Sequence, residues 1–175
     1  MILTIPILII VFILLVFSVI QFFNILFRGY APLFSTNKIF IKKILGEIEK
    51  NQIYNIYELG CGFAKFLIMA EKILPNSKYI GIEYSFLPYL LTKIKLKLIK
   101  SKIKIVCENF LKTNLQDADI IYCYLIPDVM EKLSQKLKNE CKINTLIISY
   151  RFSIPNIKLE KTINFRNSKF YFYKI

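Results

Sequence analysis

The sequence predicts an α/β fold with a doubly wound, mostly parallel sheet, preceded by a membrane-spanning helix. Short apolar runs of strand length alternate with segments of helical periodicity, which is typical of parallel strands covered by helices on both faces. The chain closes on two strand-like runs separated by a turn, which indicates a terminal antiparallel hairpin. Before all these elements, residues 2–27 contain no charged side chain.

The uncharged run is long enough to cross a bilayer as one helix. Its 26 residues would extend about 39 Å, against about 30 Å for the hydrocarbon layer. A cleaved secretory signal fits less well, because no basic residue precedes the run and no small-residue cleavage site follows it. Basic residues begin at Arg28, so the positive-inside rule predicts a single-pass protein with its folded part in the cytoplasm. The expected division is a transmembrane anchor at 1–27, a linker and N-terminal helix at 28–50, and a folded domain at 51–175.

The remaining elements follow in a regular order. Ser35, Thr36 or Asn37 would cap a helix that runs to about Lys50. Asp128, with Glu131 three residues later, has the spacing of a capping box and predicts the start of the last helix. Strands are expected at 53–59, 78–83, 103–107, 120–125 and 145–150, helices at 64–74, 88–100 and from 128, and the hairpin at 158–164 and 170–174.

Composition limits the classes of partner. The net charge is +13, and the run from Lys93 to Lys104 contains no acidic residue. Such charge suits nucleic acid or anionic lipid, and for a tethered domain lipid head groups are the simpler partner, so nucleic acid is not expected. The chain has no histidine, and its four cysteines show no C-x-x-C spacing, so no metal site is expected.

The most informative motif is Tyr57-Glu58-Leu59-Gly60-Cys61-Gly62, at the end of the first predicted strand of the sheet. The two glycines let the backbone turn sharply and approach a ligand closely. Glu83 closes the next predicted strand, 23 residues after Gly60. Ligands of doubly wound sheets bind at the carboxyl ends of the strands, so Glu83 is placed to bind the ribose hydroxyls of a nucleoside.

The charge of the motif separates two kinds of nucleoside ligand. A nicotinamide dinucleotide site would have a third glycine where this chain has Lys65. Glu58 beside the loop would repel a pyrophosphate, whereas it would attract the amino group and sulfonium of S-adenosylmethionine. The motif therefore predicts S-adenosylmethionine as the cofactor.

Tyr57 to Gly62 and Ile80-Gly81-Ile82-Glu83 resemble motifs I and II of class I S-adenosylmethionine-dependent methyltransferases, which have a Rossmann-like fold. Within that class, residues 29–155 resemble the small lysine methyltransferases anchored by a single helix, a branch that includes the enzyme for the ATP synthase c subunit. The branch has an aromatic Pro-Thr segment, a strand ending in Leu-x-Pro and a late Ser-x-x-Phe-x-x-Pro. The matching segments here are 31–36, 124–127 and 149–155.

The resemblance implies a role for each matching position. The residues it places at the cofactor are Thr36, Glu58, Gly60, Cys61, Gly62, Glu83, Asn109 and Phe110. Tyr124 would stand where the methyl acceptor enters. The chemistry of the reaction adds Asp128: without histidine, the proton that a lysine must lose would leave to water or to a carboxylate such as Asp128, unless Asp128 only caps a helix. The implied activity is protein-lysine N-methylation by a catalytic domain on the cytoplasmic side of the membrane, with a membrane protein among the possible substrates.

One departure leaves other functions open. The branch has Asp-Gly-Arg after the glycine loop, and this chain has Phe63-Ala64-Lys65. Losing the Asp and the third glycine would weaken cofactor binding unless Glu58 and backbone groups suffice. This departure favours one alternative, a catalytically silent membrane-bound binding protein. The other alternative is a methyltransferase for a lipid or quinone head group.

Overall fold

The computed structural model describes residues 4–28 and 36–175. The chain divides into two compact units, residues 1–34 and residues 35–175. The predicted linker segment at 29–35 lies outside the described residues.

In the first unit, the described residues form helix α1 (Thr4–Arg28). Its side chains are described for residues 5–20 and 22, and large apolar ones such as Leu8 and Phe12 are 67% exposed. The Ser18 hydroxyl donates to the carbonyl of Leu14 at 2.8 Å, which satisfies this polar group within the helix. Among the residues that the structure describes, no helix combines the length and the hydropathy needed to cross a membrane.

The second unit is built on a seven-stranded sheet of order β3-β2-β1-β4-β5-β7-β6. The first five strands of that order run parallel, and β7 pairs antiparallel with both β5 and β6. The predicted mostly parallel sheet with a terminal hairpin is therefore confirmed. The strands are β1 (Asn55–Leu59), β2 (Lys78–Glu83), β3 (Lys104–Cys107), β4 (Ile120–Cys123), β5 (Leu146–Tyr150), β6 (Leu159–Phe165) and β7 (Ser168–Lys174).

Within residues 36–175, the helices that accompany the sheet are α2 (Lys38–Leu45), α3 (Lys65–Ile73), α4 (Phe86–Leu98) and α5 (Met130–Glu140). Of the three predicted caps for α2, Asn37 is the one used, because its side chain accepts a hydrogen bond from the Ile39 N–H at 2.9 Å. The helix ends at Leu45, about a turn before the predicted end near Lys50. Gly46 forms its C-cap in a right-handed conformation with φ of −69°, and its N–H donates to the Lys42 carbonyl at 3.0 Å.

The expected capping box at Asp128 is wrong. Pro127 begins a 3-10 turn, Pro127–Val129, and α5 starts only at Met130. Proline is pre-organised for the first position of a helical turn. The extended residue before the turn is consequently Ile126, and the N-cap of α5 is Val129, whose side chain makes no capping bond.

Two apolar clusters cover the two faces of the sheet, because neighbouring strand residues point to opposite sides. Ile56, Tyr122 and Ile148 belong to the cluster that also contains buried residues of α2, α3 and α4. The neighbouring strand residues Leu59 and Ile121 join the cluster that contains Leu133 and Leu137 of α5. This burial on both faces explains why the strands appear in the sequence as continuous apolar runs.

Candidate functional site

The loop after β1 folds as a tight turn that needs glycine. Gly60 and Gly62 have φ values of +71° and +48°. The N–H groups of Gly60 and Cys61 both donate to the carbonyl of Ile82 at 2.9 Å, which fixes the loop to β2. A Cβ on Gly60 would lie 3.0 Å from Cδ2 of Leu125, so a side chain there meets both backbone strain and a close contact.

Glu83 ties the loop to the end of β2. Its carboxylate is buried and accepts the Gly62 N–H through Oε2 at 2.9 Å and the Ser85 N–H through Oε1 at 2.8 Å. From the other side, the Thr92 hydroxyl of α4 donates to the Gly62 carbonyl at 2.7 Å. Glu83 was predicted from the sequence, whereas Ser85 and Thr92 were not. Ser85 lies at the junction of β2 and α4, which was its only signal, and Thr92 lies in the middle of α4 without a local signal.

Glu58 lies beside this loop, almost without contact with water. Its Oε2 accepts a hydrogen bond from the Leu67 N–H of α3 at 3.4 Å. Burial raises the pKa of the Glu58 carboxyl well above its ordinary value, and the negative charge of Glu83 raises it further, while the Leu67 hydrogen bond acts the other way. When a cationic group binds next to such a buried carboxyl, it stabilises the ionised form of that carboxyl.

Burial also raises the pKa of the Cys61 thiol, and the two nearby carboxyl groups add to this. The thiol is therefore neutral, and Cys61 packs in the turn as a small apolar side chain. The free cysteines of the chain are Cys61, Cys107, Cys123 and Cys141.

The unusual segment Phe63-Ala64-Lys65 keeps the backbone shape that a glycine would give. Ala64 adopts a left-handed conformation with φ of +51° and is fully buried, and α3 starts at the next residue. The Phe63 side chain is 37% exposed. The backbone turn is thus retained at the position where the resembling branch has glycine, at the expense of strain on Ala64.

The segment after β3 approaches the same edge of the sheet. The Glu108 N–H donates to the Glu83 carbonyl at 3.1 Å. Next to it, the Asn109 Oδ1 accepts the Leu111 N–H at 2.9 Å, and the Phe110 ring is buried in the cluster that contacts α5. The structure therefore brings Asn109 and Phe110 next to the end of β2, with the Asn109 side chain shaping a local turn.

Thr36 is held by a residue far away in the sequence. Its hydroxyl lies 2.6 Å from the Tyr122 hydroxyl, and both groups are buried. The Tyr122 ring stacks on Phe66 of α3 with centroids 4.1 Å apart. Thr36 thus fastens the segment before α2 to the centre of the sheet, and burial raises the pKa of Tyr122 well above its ordinary value.

The two candidate catalytic residues lie beyond β4. The Tyr124 ring is 4.6 Å from the Tyr150 ring, and its hydroxyl accepts a hydrogen bond from Arg151 Nη1 at 3.2 Å. Asp128 lies in the exposed 3-10 turn that follows. Within the described part of the chain, Asp128 makes no hydrogen bond to another candidate residue.

The site suits S-adenosylmethionine. It combines a tight backbone turn with two buried carboxyl groups, Glu58 and Glu83, at the carboxyl ends of β1 and β2. Carboxyl groups accept hydrogen bonds from hydroxyl and ammonium groups and repel phosphates. The fold and this site together define a class I S-adenosylmethionine-dependent methyltransferase.

Comparison with known proteins agrees with this assignment to the methyltransferases and identifies the family within that class. Residues 58–161 match the family described as the ANTKMT methyltransferase domain, and the chain belongs to that family. It is also similar to a curated protein-lysine N-methyltransferase of Saccharolobus islandicus, with 27% identity over 127 residues that span 71% of this chain and 79% of the relative.

Solved structures share the fold. An RNA methyltransferase from Salinibacter ruber, in complex with S-adenosyl-L-homocysteine, superposes with a TM-score of 0.76 at 19% identity, covering 81% of this chain and 94% of the other. A precorrin-6y C5,15-methyltransferase from Geobacter metallireducens gives a TM-score of 0.66 at 14% identity, with coverage of 83% and 92%. At these identities the structures show the shared fold only.

Proposed function

We propose that this methyltransferase acts on the side-chain amine of a lysine in a membrane-embedded or membrane-adjacent protein. The observation that carries the proposal is the 127-residue similarity to a protein-lysine N-methyltransferase. The acceptor side of the site supports it, because Tyr124 and Tyr150 form an aromatic corner at the ends of β4 and β5. Aromatic faces are favourable surfaces for a lysine side chain and its amine.

The loop residues bind and orient the cofactor in this proposal. When bound, S-adenosylmethionine supplies a methyl group on a positively charged sulfur. Glu58 is the partner for the cationic amino acid portion, and Glu83 accepts hydrogen bonds from the ribose. Cys61, Gly62, Asn109 and Phe110 line the remaining cofactor surface. Binding a cation stabilises the ionised form of Glu58 and so offsets the cost of its burial.

The residues beyond β4 handle the methyl acceptor. Lysine is protonated near neutral pH, and only the neutral amine is a nucleophile. The exposed Asp128 carboxylate is the proposed acceptor of the lysine proton, directly or through water. The Tyr124 ring positions the amine, and the Arg151 guanidinium beside its hydroxyl disfavours a second positive charge at the same place.

We further propose that α1 tethers the enzyme to a membrane with its catalytic unit on the cytoplasmic side. The support is the uncharged run of residues 2–27 together with the exposed apolar side chains of α1. Alkaline carbonate should leave the chain in the membrane, and the double variant Leu8→Lys/Leu14→Lys should be released. An impermeant maleimide should label the exposed Cys107 in inverted vesicles and not in intact cells, with Cys107→Ser as the control.

The activity is tested with tritiated S-adenosylmethionine. Purified chain is added to membranes that lack it, and label is measured separately in protein hydrolysates and in lipid extracts. The proposal expects methyllysine in protein, lost in Gly60→Val and kept in Glu160→Gln, whose side chain is exposed on β6. Label confined to the lipid extract would replace the lysine acceptor by a lipid or quinone head group. Absence of cofactor binding at millimolar concentration would favour a silent binding protein.

A further inference from the structure

Helix α4 presents an apolar stripe to the outside of the molecule. Phe86, Leu90, Ile94 and Leu98 follow one another at intervals of four residues, and Leu91 lies beside them. Their exposed fractions are 67%, 37%, 50%, 77% and 46% in that order. Residues four apart in a helix lie on the same side, so these five side chains form one continuous exposed stripe.

The exposed stripe is not the face that attaches α4 to the sheet. Pro88, Thr92 and Leu96 are the buried residues of this helix, and they also recur every four positions. Leu96 belongs to the core cluster on that side of the sheet, and the Thr92 hydroxyl donates to Gly62. The helix is therefore already anchored through one face while it exposes a second apolar face.

Lysines surround the stripe without acidic partners. Residues 84–107 contain no Asp or Glu. Two carboxyl groups outside the segment contact it: Glu83 accepts the Ser85 N–H, and Glu71 accepts hydrogen bonds from the Ser101 hydroxyl and the Lys102 N–H. Within the described part of the chain, no salt bridge includes any of Lys93, Lys95, Lys97, Lys100, Lys102 and Lys104.

We propose that α4 lies flat on an anionic lipid bilayer, with its apolar stripe at the boundary of the acyl chains and its lysines at the level of the lipid phosphates. An exposed apolar face bordered by lysines is the pattern of helices that bind in the membrane interface. Lysine stems extend along apolar surface while their ammonium groups reach the charged head groups. This surface is separate from the α1 tether and does not depend on which group the enzyme methylates.

The contact would orient the active site. α4 begins three residues after Glu83, and Thr92 of the same helix holds the glycine loop. A bilayer under α4 therefore keeps the carboxyl edge of the sheet close to the lipid surface. Acceptor groups just outside the membrane are then within reach of the site, and acceptors deep in solution are disfavoured.

The absence of tryptophan from the chain permits a direct test with the full-length protein. The variant Leu98→Trp places a single indole on the stripe. The matched control Ile143→Trp places one on another exposed apolar residue, 82% exposed, in the segment just before β5. Each variant is mixed with vesicles that contain or lack phosphatidylserine, and the bound protein is isolated by flotation. Quenching of its indole fluorescence by brominated lipid is then measured.

We expect blue-shifted emission and quenching for Leu98→Trp in vesicles that contain phosphatidylserine, and neither effect for Ile143→Trp. In the Leu98→Trp background, Lys93→Gln with Lys97→Gln should lower the ratio of docked to undocked helix about 30-fold, because each lysine near an anionic surface adds to binding. Removing Lys132 and Lys138 from α5, on the other side of the sheet, should leave that ratio unchanged.

Four results would overturn the proposal. The first is protein that floats with the vesicles while the indole at position 98 stays unquenched. This result would contradict the α4 contact but not the α1 tether. The second is equal quenching with zwitterionic vesicles, which would remove the role of the lysines. The third is lysine-dependent binding of an RNA oligonucleotide with no lipid quenching. A chain that does not float at all would overturn both this surface and the α1 tether.

Discussion

Replacing Glu83 by Gln tests the central contact of the site. The Glu83 carboxylate accepts two backbone N–H groups, from Gly62 at 2.9 Å and Ser85 at 2.8 Å. A glutamine side chain keeps one acceptor oxygen and turns an NH₂ group toward the other N–H, so one of the two bonds is lost. A hydrogen bond to a charged group contributes about 1.5–3 kcal/mol. The free energy of unfolding should fall by that amount.

The assay is thermal unfolding followed by circular dichroism, without cofactor. For a unit of this size a loss of 1 kcal/mol lowers Tm by about 2–4 °C, so Glu83→Gln should melt about 3–12 °C earlier. Glu160→Gln, at an exposed position of β6, should change Tm by less than about 2 °C. Calorimetry should also show S-adenosylmethionine binding weakened by about 10- to 150-fold, since the ribose loses a charged acceptor.

The two measurements refute different parts of the reasoning. An unchanged Tm would mean that the carboxylate does not hold the glycine loop in solution. A lower Tm with unchanged affinity would mean that Glu83 supports the loop but does not contact the ribose. Parent-like values in both measurements would mean that the site is misplaced.

Three further perturbations follow from the same geometry. In Glu58→Gln, a neutral group replaces a carboxyl whose pKa is raised by burial. The parent loses stability as the pH rises through that raised pKa, so the variant should lose less stability between pH 5 and pH 8 in urea unfolding. The variant should also bind the cofactor more weakly. Gly60→Ala should cost about 2 kcal/mol in the same assay, because a left-handed backbone disfavours a Cβ. Tyr122→Phe leaves the buried Thr36 hydroxyl unpaired and should cost about 1–3 kcal/mol, part of which Thr36→Val in the same chain should restore.

Each of these has its own check. A stability difference between pH 5 and pH 8 that is the same in Glu58→Gln and the parent would contradict the raised pKa of the buried Glu58 carboxyl. Gly46→Ala is the control for Gly60→Ala: Gly46 has an ordinary φ of −69°, and a Cβ there would lie 3.3 Å and 3.4 Å from the carbonyl oxygens of Lys43 and Lys42, so this variant should cost less than Gly60→Ala. If Thr36→Val lowers stability further in the Tyr122→Phe background, the two hydroxyls do not act as a pair.

The sequence predicted features whose causes are local. β2 has the predicted bounds, Lys78–Glu83, because an apolar run lies between a Pro-Asn-Ser turn and a helix start. The two glycines marked the turn after β1, since few other residues accept a positive φ. The cofactor followed from the same residues, because the charge of Glu58 was visible in the sequence.

Other features depend on contacts between distant residues and left no mark in the sequence. The hydrogen bond between Thr36 and Tyr122 joins residues 86 positions apart. The use of both Glu83 oxygens by backbone groups depends on how α4 follows β2. The prediction that Asp128 caps α5 was wrong because it relied on the spacing between Asp128 and Glu131, which matches a capping box. Pro127 instead begins a 3-10 turn before that helix.

The last three strands lie in the sheet in a different order from their order along the chain. β7 lies between β5 and β6 in the sheet, although it leaves the ribosome after both. Until residues 168–174 emerge, β5 exposes an unpaired edge, and β6 has no strand beside it. An exposed strand edge invites pairing with other chains. A chain that lacks residues 168–174 therefore leaves the edge of β5 open to pairing with other chains.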